Sequence, residues 1–256
     1  LLTKLEGEQL NINLYQHKSI LDHHSNRFSI FTNLSSFFNE SEYVISLIPI
    51  WNLKDLLIKN KTLINFKKLI ALSSTSASTK FNSKDNWERK YALRFLDSEE
   101  EIQKECKMRN INCSILRPSM IWGNSKDLNI SFIMKFISKY GFLFLPAEGK
   151  GLRYPIHINQ LSDTIIRFVF SKNEGLFNVL GPEELTYKEM CLRIFEWYSF
   201  YPLVIIVPKF LRRIFIILSR YILKKPYINY SSLERINYSP NMEYQNPMTV
   251  YAKGKF

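Results

Sequence analysis

Three short apolar runs constrain this chain more than any other feature. Residues 43–50 (YVISLIPI), 68–72 (KLIAL) and 112–116 (NCSIL) lack the in–out alternation of a strand with one wet face. A strand that is apolar on both sides must be covered on both sides, as in a parallel sheet held between helices. Residues 53–65 have helical spacing, and 87–109 form a long helical segment rich in Glu and Lys. Upstream, 11–16 (NINLYQ) and 27–32 (RFSIFT) read as two more strands, and 1–8 as the end of a helix. This alternation predicts an α/β fold with a doubly wound parallel sheet.

Beyond Arg117 the rhythm changes. Helices are expected at 130–140, 160–170 and 186–198, strands at 154–158, 176–180 and 203–207, and a loop at 147–153. The last thirty or so residues show only weak periodicity. In open α/β sheets ligands sit outside the carboxyl ends of the strands. The informative loops are therefore 48–51, 73–76 and 118–123.

Composition narrows the function classes. Cys106, Cys113 and Cys191 are too few for a disulfide framework, and no Cys-x-x-Cys or His-x-x-x-His spacing suggests a metal. His23 and His24 are adjacent, so they read as surface residues. The cysteine pattern suits a reducing, cytoplasmic compartment. The net charge of +12 invites a nucleic-acid reading, but bases and acids are interspersed over most of the chain. The tail is the exception: from Lys209 onward, nine Lys and Arg face only Glu234 and Glu243. No signal peptide is expected, since residues 1–6 (LLTKLE) do not read as a basic region before an apolar run, and the apolar stretch 200–223 is broken by Pro202, Pro208, Lys209, Arg212 and Arg213. The basic, apolar segment 209–225 can lie on an anionic membrane or pack on the protein.

Four collinear segments then resemble one family. LIALSSTS ends at Ser76, and LRPSMIWG runs from Leu116 to Gly123. Gly151–Ile158 (GLRYPIHI) and the pair NVLGPE and LTYKE, from Asn178 to Glu189, follow in order. Together they are similar to the extended and atypical short-chain dehydrogenases/reductases, in the NAD-dependent epimerase/dehydratase group. The resemblance implies a Rossmann-like sheet over residues 1–125 and a small C-terminal α+β substrate lobe over 126–256, with 154–180 partly returning to the sheet. It implies NAD or NADP as cofactor and a nucleotide-diphosphate sugar as partner, in surface polysaccharide biosynthesis. A homodimer is a further expectation, and a nucleic-acid partner is not expected.

The resemblance also implies roles by position. Thr75, with Ser74 beside it, stands where the family keeps a hydroxyl that hydrogen-bonds the reacting sugar oxygen. The alternative is that this run only satisfies backbone groups of its own loop. Ile48, Pro49, Ser73, Pro118, Ser119 and Met120 would line the cofactor, with Pro118–Met120 against the nicotinamide. Arg153, a planar fork suited to phosphate, and Asn129 would bind substrate. Tyr91 lies within one position of the family's catalytic Tyr, and Glu100 aligns with a Glu usual in that helix. His157 reads as packing at a strand end.

Three departures set the chain apart. The Gly-x-x-Gly-x-x-Gly phosphate loop and its preceding strand are absent, which suggests a fragment lacking the first strand of the sheet. Phe95 stands where the Lys of Tyr-x-x-x-Lys belongs, although Arg94 can share a helix face with Tyr91. That Lys normally lowers the Tyr pKa for proton transfer. Asn159–Gln160 replaces an acidic pair and puts the local hydrogen bonding of the lobe in question. The Gln16–His17–Lys18 stretch offers no carboxylate that would favour NAD. The alternative to an enzyme is a non-catalytic NAD(P)-binding scaffold of the same fold.

Overall fold

The computed structural model describes residues 12–15, 28–31, 40–60, 64–123, 125, 127, 129–145, 147–212, 214, 217 and 235–256. The helix end expected at 1–8, the pair His23–His24, the segment Gln16–His17–Lys18 and most of 209–225 lie outside the described residues.

Strands β1 (Ile12–Tyr15) and β2 (Phe28–Phe31) pair in parallel as a two-stranded sheet of their own. Next come β3 (Tyr43–Ser46), α1 (Ile50–Lys59), β4 (Lys68–Leu72), α2 (Ser76–Thr79), α3 (Asn86–Met108) and β5 (Asn112–Pro118). They are followed by β6 (Ile121–Trp122), α4 (Ile130–Tyr140), β7 (Phe142–Leu145), β8 (Leu152–Arg153), β9 (Ile156–His157) and α5 (Ile158–Phe170). The remainder comprises β10 (Gly175–Leu180), β11 (Leu185–Thr186), α6 (Tyr187–Trp197), β12 (Leu203–Ile206), a 3₁₀ turn (Lys209–Leu211) and β13 (Met248–Tyr251).

The central sheet has five strands in the order β13-β10-β5-β4-β3, every neighbouring pair parallel. Its apolar runs serve two cores, as strands covered on both faces must. Leu69 and Ala71 of β4 and Cys113 and Ile115 of β5 pack with α1 and α3. Ile70 and Leu116 point the other way and pack with Leu161, Ile165 and Phe168 of α5. This is the doubly wound, Rossmann-like arrangement that the alternation predicts. The strand that closes the order comes from the weakly periodic tail: β13 pairs with β10 from Phe177↔Met248 to Leu180↔Tyr251.

Local chemistry sets the element ends. Asp85 starts α3 by accepting hydrogen bonds from the backbone N–H groups of Trp87 (2.9 Å) and Glu88 (3.0 Å). The strand expected over 154–158 shrinks to Ile156–His157 because α5 begins at Ile158, under a capping box. There the Asn159 N–H donates to His157 Nδ1 (3.2 Å), and the His157 N–H donates to Gln160 Oε1 (2.9 Å). Gln160 thus supplies the hydrogen bonding that its departure from an acidic pair put in question. The expected loop 147–153 ends in β8, which pairs antiparallel with β11.

Apart from these two cores, Ile130, Ile133 and Ile137 of α4 and Met190, Cys191, Ile194 and Phe195 of α6 form a third core with Leu143 and Leu185. Gly181 carries the chain from β10 toward this layer at very close range. A Cβ there would sit 1.9 Å from the Pro155 carbonyl oxygen, so only glycine fits.

Candidate functional site

The carboxyl ends of β3, β4 and β5 place three turns side by side. After β4, the Ser73 N–H donates to the Leu116 carbonyl (2.7 Å) and the Thr75 N–H to the Pro118 carbonyl (3.1 Å). After β5, the Ser119 N–H donates to the Val179 carbonyl (2.9 Å) of β10, and the Ile156 N–H donates to the Met120 carbonyl (3.0 Å). The Ser-Ser-Thr turn and the Arg-Pro turn are therefore laced to each other and to the next strand. After β3, Leu47, Ile48 and Pro49 form an exposed apolar tip, with Pro49 leading into α1.

The hydroxyls of this run hold the turn together. Ser73 donates to Glu99, and Thr75 Oγ1 donates to the Pro118 carbonyl (3.3 Å). Ser74 Oγ accepts from the Ser76 N–H (3.1 Å). Thr75 is buried and Ser74 half-buried. A hydroxyl that donates still accepts, and one that accepts still donates, so Thr75 retains lone pairs and Ser74 its proton.

Beneath the turns lies a group that sequence reasoning missed. Arg117 is fully buried in β5 and pairs with Glu99 of α3, itself 1% exposed. The Arg117 Nε–H donates to Glu99 Oε1 (2.9 Å), and a second guanidinium nitrogen donates to Glu99 Oε2. The remaining donors reach the Ser78 hydroxyl (2.8 Å), the Tyr244 carbonyl (3.1 Å) and the Gln245 side-chain oxygen (2.6 Å). A buried ion pair is tolerated when its remaining hydrogen-bonding capacity is met, and this one ties β5, α3, α2 and the tail together. The sequence carried the signal: Glu99 falls on the stripe formed by Ala92, Phe95, Ile102 and Cys106, all buried. Glu100, which the family resemblance singled out, is exposed.

The other candidates make contacts of their own. The Tyr91 ring packs against Trp51 (5.5 Å between centroids), Trp87 (5.2 Å, stacked) and Phe95 (5.0 Å). The Arg94 guanidinium sits over Trp51, 4.3 Å from the ring centroid. Arg153, on β8, donates to the carbonyls of Leu152, Arg235 and Tyr238 and lies 5.6 Å from the Tyr187 ring centroid. Burial lowers its pKa, and Arg235 adds to that effect against an opposing contribution from Tyr187. Asn129 is exposed ahead of α4, and Asp127 rather than Asn129 takes the Ser131 N–H (3.0 Å). His157 caps α5 and stacks edge-on against Trp122, 4.7 Å between centroids. Among the described residues no cluster of His, Cys, Asp and Glu is placed to hold a metal ion.

For a dinucleotide the fit is divided. The apolar tip at Leu47–Pro49 and the half-buried Met120 suit flat rings. The eight glycines are scattered, however, and form no run that would bring successive backbone N–H groups onto a pyrophosphate.

No family model and no curated protein matches this chain. Solved structures do. UDP-glucose 4-epimerase of Thermus thermophilus, in complex with NAD, matches with a TM-score of 0.60 at 12% identity, over 92% of this chain and 92% of that one. UDP-N-acetylglucosamine 4-epimerase of Methanobrevibacter ruminantium, in complex with UDP-N-acetylmuramic acid, matches with a TM-score of 0.61 at 14% identity, over 92% and 87%. UDP-glucuronic acid 4-epimerase of Bacillus cereus, in complex with UDP-glucuronic acid and NAD, matches with 0.58 at 14%, over 83% and 82%. This chain has the fold of those epimerases.

Proposed function

We propose that this protein binds NAD(P) and a nucleotide-diphosphate sugar at the strand tips, as an epimerase/dehydratase-like protein. The observation that carries the reading is the direct stitching of the Thr75 and Pro118 turns at the carboxyl edge of a parallel sheet. The support from outside is that proteins of the same fold are described in complex with NAD and UDP-sugars. When bound, the dinucleotide would supply hydride transfer. Ile48, Pro49, Pro118, Ser119 and Met120 would seat its rings. Ser74 would donate its free proton to a sugar oxygen, while Thr75 would accept from a sugar hydroxyl. A cytoplasmic setting accords with three free cysteines, and a role in surface polysaccharide synthesis and a homodimer belong to the same proposal.

Titration calorimetry with NAD, NADP and a series of UDP-sugars tests the reading. Heat with a dinucleotide and with at least one UDP-sugar is expected; no heat with any of them removes it. Ser74→Ala should weaken the sugar response and leave the dinucleotide response unchanged.

A second reading, a scaffold that binds NAD(P) without turnover, is favoured by one specific observation. The Tyr91 ring is held in an aromatic cluster, with Phe95 where a proton-relay pair would need Lys. Dinucleotide binding without nicotinamide reduction on any UDP-sugar would support it. Turnover that Tyr91→Phe abolishes would rule it out.

A further inference from the structure

The β7–β12 pair is apolar on both faces. Its register sets Phe142 beside Leu203, Leu143 beside Val204, and Phe144 beside Ile205. Leu143 and Val204 turn inward, to the core of α4 and α6. Phe144, Leu203 and Ile205 turn outward and are 40%, 49% and 41% exposed. An outward strand face is normally polar. This one is extended by an aromatic ladder along α4. Phe136 lies 5.7 Å from Phe142 and 4.7 Å from Tyr140, and Phe142 lies 5.1 Å from Phe144. At the far end of β12 the chain enters its 3₁₀ turn with Phe210 79% exposed.

The charge on these segments has one sign. Between Asp127 and Glu148 the sequence has Lys135 and Lys139 and no acid; between Glu196 and Glu234 it has Lys209, Arg212, Arg213, Arg220, Lys224 and Lys225 and no acid. Lys139 lies over the Tyr140 ring, 4.9 Å from its centroid. Glu148, the acid nearest in sequence to β7, is paired with Lys150. Among the described residues no helix is long and apolar enough to cross a membrane.

We propose that the outward face of β7 and β12, with the 3₁₀ turn that follows, docks on an anionic phospholipid membrane. Exposed aromatic and aliphatic side chains enter the headgroup boundary, while Lys and Arg meet the lipid phosphates. A second copy meeting this face across a two-fold axis would set the same cations against themselves, and Glu148, the acid close enough to Lys209 and Arg212 to feel their charge, is already paired with Lys150, so the contact is repulsive. The proposal does not depend on the function of the strand tips.

Co-sedimentation of the protein with vesicles decides it. Binding is expected to vesicles of phosphatidylglycerol mixed with phosphatidylcholine, to fall with added salt, and to be weak on phosphatidylcholine alone. Lys209→Glu with Arg212→Glu should weaken it about tenfold or more, since each basic residue near such a surface contributes ~1 kcal/mol. Phe144→Ser with Ile205→Ser should weaken it at all salt concentrations. The milder pair Lys209→Gln with Arg212→Gln covers the case in which charge reversal impairs folding, as judged by circular dichroism. No pelleting with anionic vesicles, or equal pelleting with both kinds, overturns the proposal. So does a dimer in analytical ultracentrifugation that Phe144→Ser dissociates, in a protein that ignores vesicles; the face then belongs to a second copy.

Discussion

Arg117 and Glu99 show how one residue pair can hold a site in place without lining it. Their guanidinium–carboxylate contact lies under the β4 and β5 turns, and Ser73 shares the same carboxylate. Removing one partner leaves an unpaired buried charge, so Glu99→Leu should cost about 3–5 kcal/mol in urea unfolding. Arg117→Met combined with Glu99→Leu should cost clearly less than the sum of the two single changes, because neither charge is then stranded. An additive cycle would refute the coupling. The cysteines make a second residue-scale case. Burial pushes the Cys191 thiol up to about 12, and hydrogen bonding with Cys106, then burial, raises Cys113. Thiolate is the reactive form, so a thiol reagent at neutral pH should label Cys191 and Cys113 only at the rate of unfolding, and rapid labelling of the native protein would contradict this.

The elements owe their ends to side chains rather than to hydrophobic spacing. Asp85 takes two N–H groups at the start of α3, and Asp85→Ala should lower stability by about 1 kcal/mol in the same unfolding measurement. Thr186 and Glu189 form a matching box at the start of α6. The turn after β10 is less forgiving. Gly181→Ala would drive a methyl into the Pro155 carbonyl, so the variant should be far less stable than Gly141→Ala, whose added Cβ meets nothing within 4 Å although its φ of +72° strains any side chain. Equal melting temperatures for the two would show that the Pro155 contact yields. Most of these elements were legible in the sequence, because burial on one stripe or on both strand faces leaves a periodic trace. β13 was not: Met248 and Tyr251 are exposed, and a sheet-edge strand owes its place to backbone hydrogen bonds with β10 that leave no side-chain pattern.

On the scale of the whole molecule, the tail is bound to β10 through β13 and to the first half of the chain by polar contacts. Arg235 clasps Glu88 at the start of α3, and the Ser83 hydroxyl donates to the same carboxylate (2.7 Å). Burial alone would raise the Glu88 pKa, but these hydrogen bonds outweigh it and hold the carboxyl below its ordinary value. A depressed folded-state pKa adds stability that is complete above the unfolded value near ~4.3 and lost as the pH falls through the folded value. Stability of the wild type should therefore drop more steeply below pH ~4 than that of Glu88→Gln, and parallel curves would refute the linkage. The sequence by itself determined the α/β class, the strands of the sheet core and which turns fall at their carboxyl ends, because apolar runs and helical spacing are local records of burial. Only the tertiary structure decided that Arg117 is the partner of the buried Glu99, that Arg153 spends its guanidinium on backbone carbonyls, that Tyr91 packs against Trp51, and that the tail supplies the outermost strand. The partners that decide these, Trp51 for Tyr91 and Arg235 and Tyr238 for Arg153 among them, lie far away along the chain, and no local pattern records which distant group will satisfy a charge.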